Sequence, residues 1–392
     1  MKIYQSLVIL CLSLFAFSGC TDLSKEDRRF ADIIAGIGSK YAPDQRTSVF
    51  GVTFTRTNKG IALVGEVDNP DAKKAVIDAL SPLVKRVSDD ITILPEAKLG
   101  SRVWGIVRVS VANMRRDPDE SSELVSQAIM GSALRILRES GEWCFVQTPD
   151  KYLGWMRQDS FVLCGRNELE DWGSSPRVIV LATYGTVREA ANNHSTPVSD
   201  IVAGSLLKSV SASAGWTSVA LPDGRAGFVL TADVSDYDIW RKKIQPTPEG
   251  IERSARSLLG VPYMWGGTST KALDCSGFTK TVYMLNGVQL DRDANQQAVQ
   301  GAPVVPGAKF ENLQKGDLLF FGKHGTNQRP EQILHVVMYL KDRNFIHASG
   351  MVKINSLDPT SPLFDPNKLR SFICARRVIP SVSSVSETPV RH

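Results

Sequence analysis

The chain has 392 residues, of which 42% are hydrophobic and 22% charged, and a formal net charge of +5. That is ordinary globular composition with room for roughly two to four domains. The positive charge is spread along the chain, with no basic tract, zinc-finger spacing or Gly-rich phosphate loop, so nucleic acid is not an expected partner.

The first twenty residues, MKIYQSLVILCLSLFAFSGC, combine one lysine, a mainly apolar run from Leu7 to Phe17, small residues and Cys20. This is too short for a membrane span and reads as a signal peptide over 1–19. AFSGC resembles a bacterial lipobox, in which the cysteine becomes the first mature residue and carries lipid. The expectation is a protein of the bacterial cell envelope, anchored to a membrane through lipid on Cys20 and facing periplasm or exterior. The alternative is a plain signal peptide with an incidental cysteine. Cys144, Cys164, Cys275 and Cys374 then lie outside the cytoplasm, where disulfides persist. Cys144 and Cys164 fall in neighbouring expected strands, and a bridge or two buried thiols both fit.

Residues 20–97 read as a small α+β domain. A helix (FADIIAGIGSKY) precedes a hairpin turning at Asn58-Lys59-Gly60, and a second helix opens at Asn69-Pro70 through DAKKAVIDALSPLV before a strand ITILP. IALVGEVDNPDAKKAVIDAL resembles the small BON-type domains of envelope proteins, and no chemistry shows in it.

An internal repeat follows. GSALRILRESGEWCFVQTPDKYLGW from Gly131 aligns without a gap on GSLLKSVSASAGWTSVALPDGRAGF from Gly204, an offset of 73 that pairs Trp143 with Trp216 and Gly154 with Gly227. Short alternating strands with Gly and Pro-Asp turns are the signature of small barrels, expected over 98–168 and 174–238. The pairs Trp143/Trp155 and Trp216/Phe228 suit either barrel cores or ligand platforms.

A helix capped by Thr247, with Pro248 in its first turn, opens the last domain, 246–380; the Ser-rich 381–392 is an expected disordered tail. In LDCSGFTK, Cys275 begins an apolar-periodic run and should occupy the first turn of a helix, where the dipole and unpaired amides lower a thiol's pKa. A thiolate needs a base oriented by a third group. His335 (ILHVVMYL) and His347 (NFIHASG) meet if VVMYLKDRNFIHA is a hairpin turning at Lys341–Asn344. His324 reads as a surface residue. Buried spectator side chains are the bland alternative, and a Cys/His metal site lacks further ligands at close spacing. No metal or organic cofactor is implied.

GVPYMWGG, LDCSGF, KGDLLFF, LHVVMYL and FIHASG, in that order over Ile251 to Arg377, resemble the NlpC family of papain-like cell-wall cysteine peptidases. The resemblance implies Cys275 as nucleophile, His335 as general base, His347 as its orienting group, and Tyr263 as an oxyanion donor beside the Cys275 amide. Two SH3-like domains ahead of such a domain resemble the γ-D-glutamyl-L-diamino acid endopeptidases, which release L-Ala-γ-D-Glu from murein peptides with a free N-terminal L-Ala. It implies contacts to that amine from Asp274, Ser276, Glu123 and Tyr152. Arg225 stands in place of Tyr152 in the second repeat, so the tyrosine is not a requirement of the barrel. The expected fold is multidomain α+β: a small α+β domain, two SH3-like β-barrels and a papain-like catalytic domain. Other readings are an amidase or acyltransferase on other wall or lipid bonds, and a non-catalytic wall-binding lipoprotein.

Overall fold

The computed structural model describes residues 24–379. The signal peptide, Cys20 and the tail at 381–392 lie outside the described residues. These divide into two compact units: 24–43 with 49–93, and 44–48 with 94–379.

In the first unit, helix α1 (Lys25–Tyr41) precedes strands β1 (Phe50–Thr57) and β2 (Gly60–Val67), helix α2 (Pro70–Leu80) and strand β3 (Val87–Ile93). Ser24 Oγ accepts from the Asp27 N–H, and Asn69 Oδ1 from the Asp71 N–H, each satisfying a donor that a helix start leaves open. The second helix stops short of the expected Val84, because Pro82 has no N–H to continue the ladder and the chain tightens into a 3-10 turn. β3 also begins earlier than expected. It pairs in parallel with β2 from Val87, and Pro95, which has no N–H to donate, lies beyond its end. Phe30, Ile34, Leu63, Val76 and Leu80 fill the core.

The offset-73 repeat is a repeat of structure. The first copy holds β4 (Trp104–Val107), β5 (Val111–Arg115), β6 (Leu124–Ile129), β7 (Ala133–Ser140), β8 (Trp143–Gln147), β9 (Leu153–Arg157) and β10 (Phe161–Cys164). After helix α3 (Arg166–Ser174) come β11 (Arg177–Val180), β12 (Tyr184–Arg188), β13 (Pro197–Val202), β14 (Leu206–Ser213), β15 (Trp216–Ala220), β16 (Ala226–Leu230) and β17 (Val234–Asp236). The sheet orders, β10-β4-β7-β8-β9-β5-β6 and β17-β11-β14-β15-β16-β12-β13, are the same, and the ladders stay open instead of closing into barrels. Bulges recur at equivalent places, between Ile136 and Arg138 and between Ser209 and Ser211. Gly131 and Gly204 turn the chain at φ +86° and +88°, which glycine adopts without a Cβ clash. Cys144 and Cys164 are free buried thiols. Two strands separate β8 from β10, so the neighbouring-strand bridge has no geometric basis. Trp143 and Trp155 are buried, as core residues should be.

The rest of the chain forms α4 (Tyr237–Lys243), α5 (Pro248–Arg256), a two-stranded ribbon of β18 (Thr268–Ser269) and β19 (Ala272–Leu273), α6 (Cys275–Met284) and α7 (Ala294–Gln297). Then follow β20 (Ala302–Val304), β21 (Leu318–Lys323), β22 (Gln332–Tyr339), β23 (Asn344–Ser349), β24 (Met351–Ser356), α8 (Pro366–Arg370) and β25 (Phe372–Arg377). The last six strands make an antiparallel sheet of order β20-β25-β21-β22-β23-β24. Its central strands are buried on both faces, which is why Leu318, Leu319, Phe320 and Phe321 form an unbroken apolar run. One face packs Phe320, Val336 and Met338 against Phe278 and Val282 of α6. Thr247 caps α5 through Gly250 N–H. No described helix is long and apolar enough to cross a membrane.

Candidate active site

Asp274 fixes the start of α6, because its Oδ1 accepts from the Gly277 N–H at 2.7 Å. Its Oδ2 accepts from the Gly266 N–H at 3.0 Å and from Arg292 Nη2 at 2.5 Å. Arg292 also donates to Ser276 Oγ at 3.1 Å and is itself only 2% exposed. Both residues flanking Cys275 are thus tied to one buried guanidinium, and Cys275 heads the helix in a fixed position.

Cys275 is buried at the head of α6, near the backbone N–H groups of Ser276 and Val336. Burial first, then the Asp274 carboxylate, pushes the thiol above its ordinary value, and the nearby N–H groups do not offset the rise. The sequence expectation of a lowered pKa is corrected here, because desolvation outweighs the helix N-terminus. The resting group is a neutral thiol.

Val336 follows His335 on β22. The β22–β23 connection, four residues from Leu340 to Arg343, turns tightly with Asp342 and Arg343 at φ +51° and +60°. With Met338 opposite Ile346, it sets His335 and His347 on one face. His335 Nε2 lies 2.7 Å from His347 Nδ1, and His347 Nε2 lies 3.1 Å from Asn355 Oδ1 on β24. Asn355 Nδ2 donates to the Leu363 carbonyl at 3.2 Å, which settles the orientation of that amide. The protons then follow in sequence. Asn355 Oδ1 can only accept, so His347 carries its proton on Nε2 and presents a lone pair at Nδ1; His335 donates to it from Nε2, and its own Nδ1 is left as a base.

Both rings are neutral. Burial, then the positive charge of Lys368, holds His335 well below its ordinary range. Burial likewise lowers His347 to about 4 against the pull of Asn355. Tyr263 packs against the core that contains Cys275, and burial pushes its hydroxyl up to about 12, so it remains a proton donor. His324 is exposed, as expected. No cluster of metal-ligating side chains occurs among the described residues.

A cavity of about 500 Å³ opens beside Cys275. Glu123 and Tyr152 line it from the first repeat, and Asp274, Ser276 and Asp293 from the last domain. Glu123 accepts from Trp265 Nε1 at 2.7 Å and pairs with Arg116. The Tyr152 hydroxyl donates to Asp293 Oδ2 at 3.0 Å. Sequence reasoning missed Asp293, Arg292, Asn355 and Lys368. Asp291-Arg292-Asp293 reads as an ordinary polar loop, and nothing local marks Asn355 or Lys368.

A buried cysteine at the start of a helix, and a pair of histidines fixed by Asn355 on the sheet packed against that helix, are the groups a cysteine peptidase uses. Residues 260–369 match the NlpC/P60 family model, and 114–161 match that of the bacterial dipeptidyl-peptidase Sh3 domain. The chain is 30% identical to dipeptidyl-peptidase 6 of Lysinibacillus sphaericus over 66% of its own length and 93% of that relative. It is 27% identical to a Bacillus cereus protein named gamma-D-glutamyl-L-lysine dipeptidyl-peptidase, over 78% of this chain and 91% of that one. The crystal structure of an NlpC/P60 family protein from Bacillus cereus superimposes with a TM-score of 0.61 at 24% identity, covering 71% of this chain and all of the other, which shows the shared fold. The chain belongs to the NlpC/P60 family of cysteine peptidases, as a cell-wall peptidase of that type.

Proposed function

We propose that this enzyme cleaves the bond between γ-D-Glu and a diamino acid in murein peptides with a free N-terminal L-Ala. One observation carries this reading: the cavity beside Cys275 is walled by the carboxylates of Glu123 and Asp293, with the Tyr152 hydroxyl on Asp293. An ammonium buried in a closed site needs such partners, because a lone buried charge is prohibitive. The name of the Bacillus cereus relative supports the same bond. In this reading Asp274 and Ser276, already bonded to Arg292, form the floor of the amine pocket, and Asp293 and Glu123 meet the charge. Lipid attachment at Cys20 and a place in the cell envelope belong to the same proposal.

The mechanism follows from the proton positions. Cys275 Sγ attacks the γ-carbonyl carbon of D-Glu as its proton passes to His335 Nδ1. Tyr263 and the Cys275 backbone N–H hold the oxyanion, a type of donor whose loss costs about a hundredfold or more in rate. His335 returns the proton to the leaving amine of the diamino acid, leaving L-Ala-γ-D-Glu as a thioester. Water activated by the same nitrogen releases it. His347, held by Asn355, keeps the His335 ring in place throughout.

Mass spectrometry of L-Ala-γ-D-Glu-diaminopimelate and its lysine analogue, each with free and acetylated N-terminus, tests the reading. Release of L-Ala-γ-D-Glu from the free-amine peptides alone, by wild type and not by Cys275→Ala, is expected. Equal cleavage of acetylated peptide removes the amine pocket, and no cleavage of any removes the bond.

A further inference from the structure

The second compact unit includes five residues from far up the chain, Asp44–Ser48, the connection between α1 and β1. Their backbone is fastened to the first repeat: the Leu153 N–H donates to the Arg46 carbonyl at 2.8 Å, and Gln147 Nε2 to the Thr47 carbonyl at 3.0 Å. Gln45 and Arg46 therefore line the cavity that also holds Cys275.

Arg46 is held in a fixed pose. Nε and Nη2 form a two-pronged bond to Asp44, at 2.9 and 2.7 Å. Nη1 donates to Asp293 Oδ2 at 2.7 Å and to Asn295 Oδ1 at 2.9 Å. One N–H of Nη2 is left over, and the side chain is 36% exposed. Two other cations line the cavity, and both are committed. Arg116 pairs with Glu123, and Arg292 is sealed against Asp274. The cavity thus presents a carboxylate, Asp293, and a guanidinium, Arg46, side by side.

That juxtaposition matches an L-Ala-γ-D-Glu end group. A γ-linkage leaves the α-carboxylate of D-Glu free, and this carboxylate is separated from the L-Ala ammonium by a single peptide unit. Once the ammonium reaches Asp293, the carboxylate comes within reach of the neighbouring group. Without a cation there it would face Glu123, Asp274 and Asp293, a like-charge contact in a confined site. We infer that Arg46 is a specificity-determining residue that binds the free α-carboxylate of the γ-D-glutamyl unit and selects it over an α-carboxamide. Arg46 replaces its neutral contact, Asn295, with the substrate carboxylate, and the Asp44 fork keeps the guanidinium aimed. The inference rests on the reading under Proposed function.

The test compares kcat/KM for L-Ala-γ-D-Glu-L-Lys and the same peptide with its D-Glu α-carboxylate converted to carboxamide, using the full protein as wild type, Arg46→Gln and Arg46→Lys. Wild type is expected to prefer the acid by about 10- to 100-fold, the range for a hydrogen bond to a charged group. Arg46→Gln should bring the ratio to within about threefold, with the loss falling on the acid, and Arg46→Lys should retain part of the preference, since lysine supplies the charge without the fork. A wild-type ratio of one or below overturns the inference, and so does an Arg46→Gln variant that slows both peptides equally and leaves the ratio unchanged, which marks a role in holding the loop alone. If wild type cleaves neither peptide, the proposed bond is wrong and the inference falls with it.

Discussion

Asn355 is the residue on which the protonation of the proposed catalytic group turns. Its amide is locked by the Leu363 carbonyl, and that lock decides that His335 offers Nδ1 as a base. Asn355→Ala should lower kcat by about tenfold or more with a much smaller change in KM, since a misplaced tautomer removes the base without touching the cavity. Asn355→Asp keeps an acceptor facing His347 and should recover most of the activity, which a merely structural residue would not do. The histidines also tie stability to pH. His347 takes up a proton near 4 when folded and near the ordinary 6.5 when unfolded, so between these values the unfolded chain holds more protons. Stability therefore rises with pH across that window and is lost on acidification, by on the order of 2 kcal/mol for this group. Urea midpoints between pH 7 and pH 4.5 should fall in wild type and fall less in His347→Gln. Cys275 moves the opposite way from what its helix position implies, and Asp293, Asn355 and Lys368 have no local mark in the sequence. Burial and partners far along the chain set all of these, and spacing carries no information on either.

At the scale of elements, the N-terminus of α6 is held by a buried ion pair. Asp274 and Arg292 are each nearly sealed from solvent, and the guanidinium also reaches Ser276. Removing one member of a buried pair leaves the other uncompensated and typically costs about 3 to 5 kcal/mol. Arg292→Leu is expected to lose stability in that range by urea unfolding, and Asp274→Asn with Arg292→Leu together should recover part of it, because the stranded carboxylate is then gone. This arrangement also explains which elements were legible beforehand. Thr247, Asn69 and the helix beginning at Cys275 are marked by short-range capping chemistry, and the offset-73 repeat reappears strand for strand because turn glycines and alternation are local. The start of β3 was misplaced because a parallel partner, β2, fixes it. The Cys144–Cys164 bridge failed for a related reason: β8 and β10, close in sequence, are separated by two strands in the sheet.

For the whole molecule, the cavity is a composite. The thiol and Asp293 come from the last domain, Glu123 and Tyr152 from the first repeat, and Arg46 from a five-residue connection near the N-terminus. The resemblance in sequence reached Cys275, Glu123 and Tyr152 but not Asp293, and gave no hint of Arg46, since a loop outside any motif acquires its position only through backbone bonds to Gln147 and Leu153. A site closed on these sides by charged groups favours a chain end over a chain interior. In intact wall the L-Ala amine is acylated by muramic acid, which removes the positive charge and adds bulk where Glu123 and Asp293 converge. Each carboxylate then keeps its arginine, Arg116 or Arg46, but loses the contact to the ammonium, a penalty of about 1.5 to 3 kcal/mol for a charged hydrogen bond, or roughly 10- to 100-fold in rate. Release of peptide from intact sacculi should therefore be slower than cleavage of the free tripeptide by at least that factor, measured on equal concentrations of cleavable bonds. Glu123→Gln should narrow the gap by slowing the free-amine peptide more than the acylated one. Sacculi cut as fast as free tripeptide would mean that these walls close nothing.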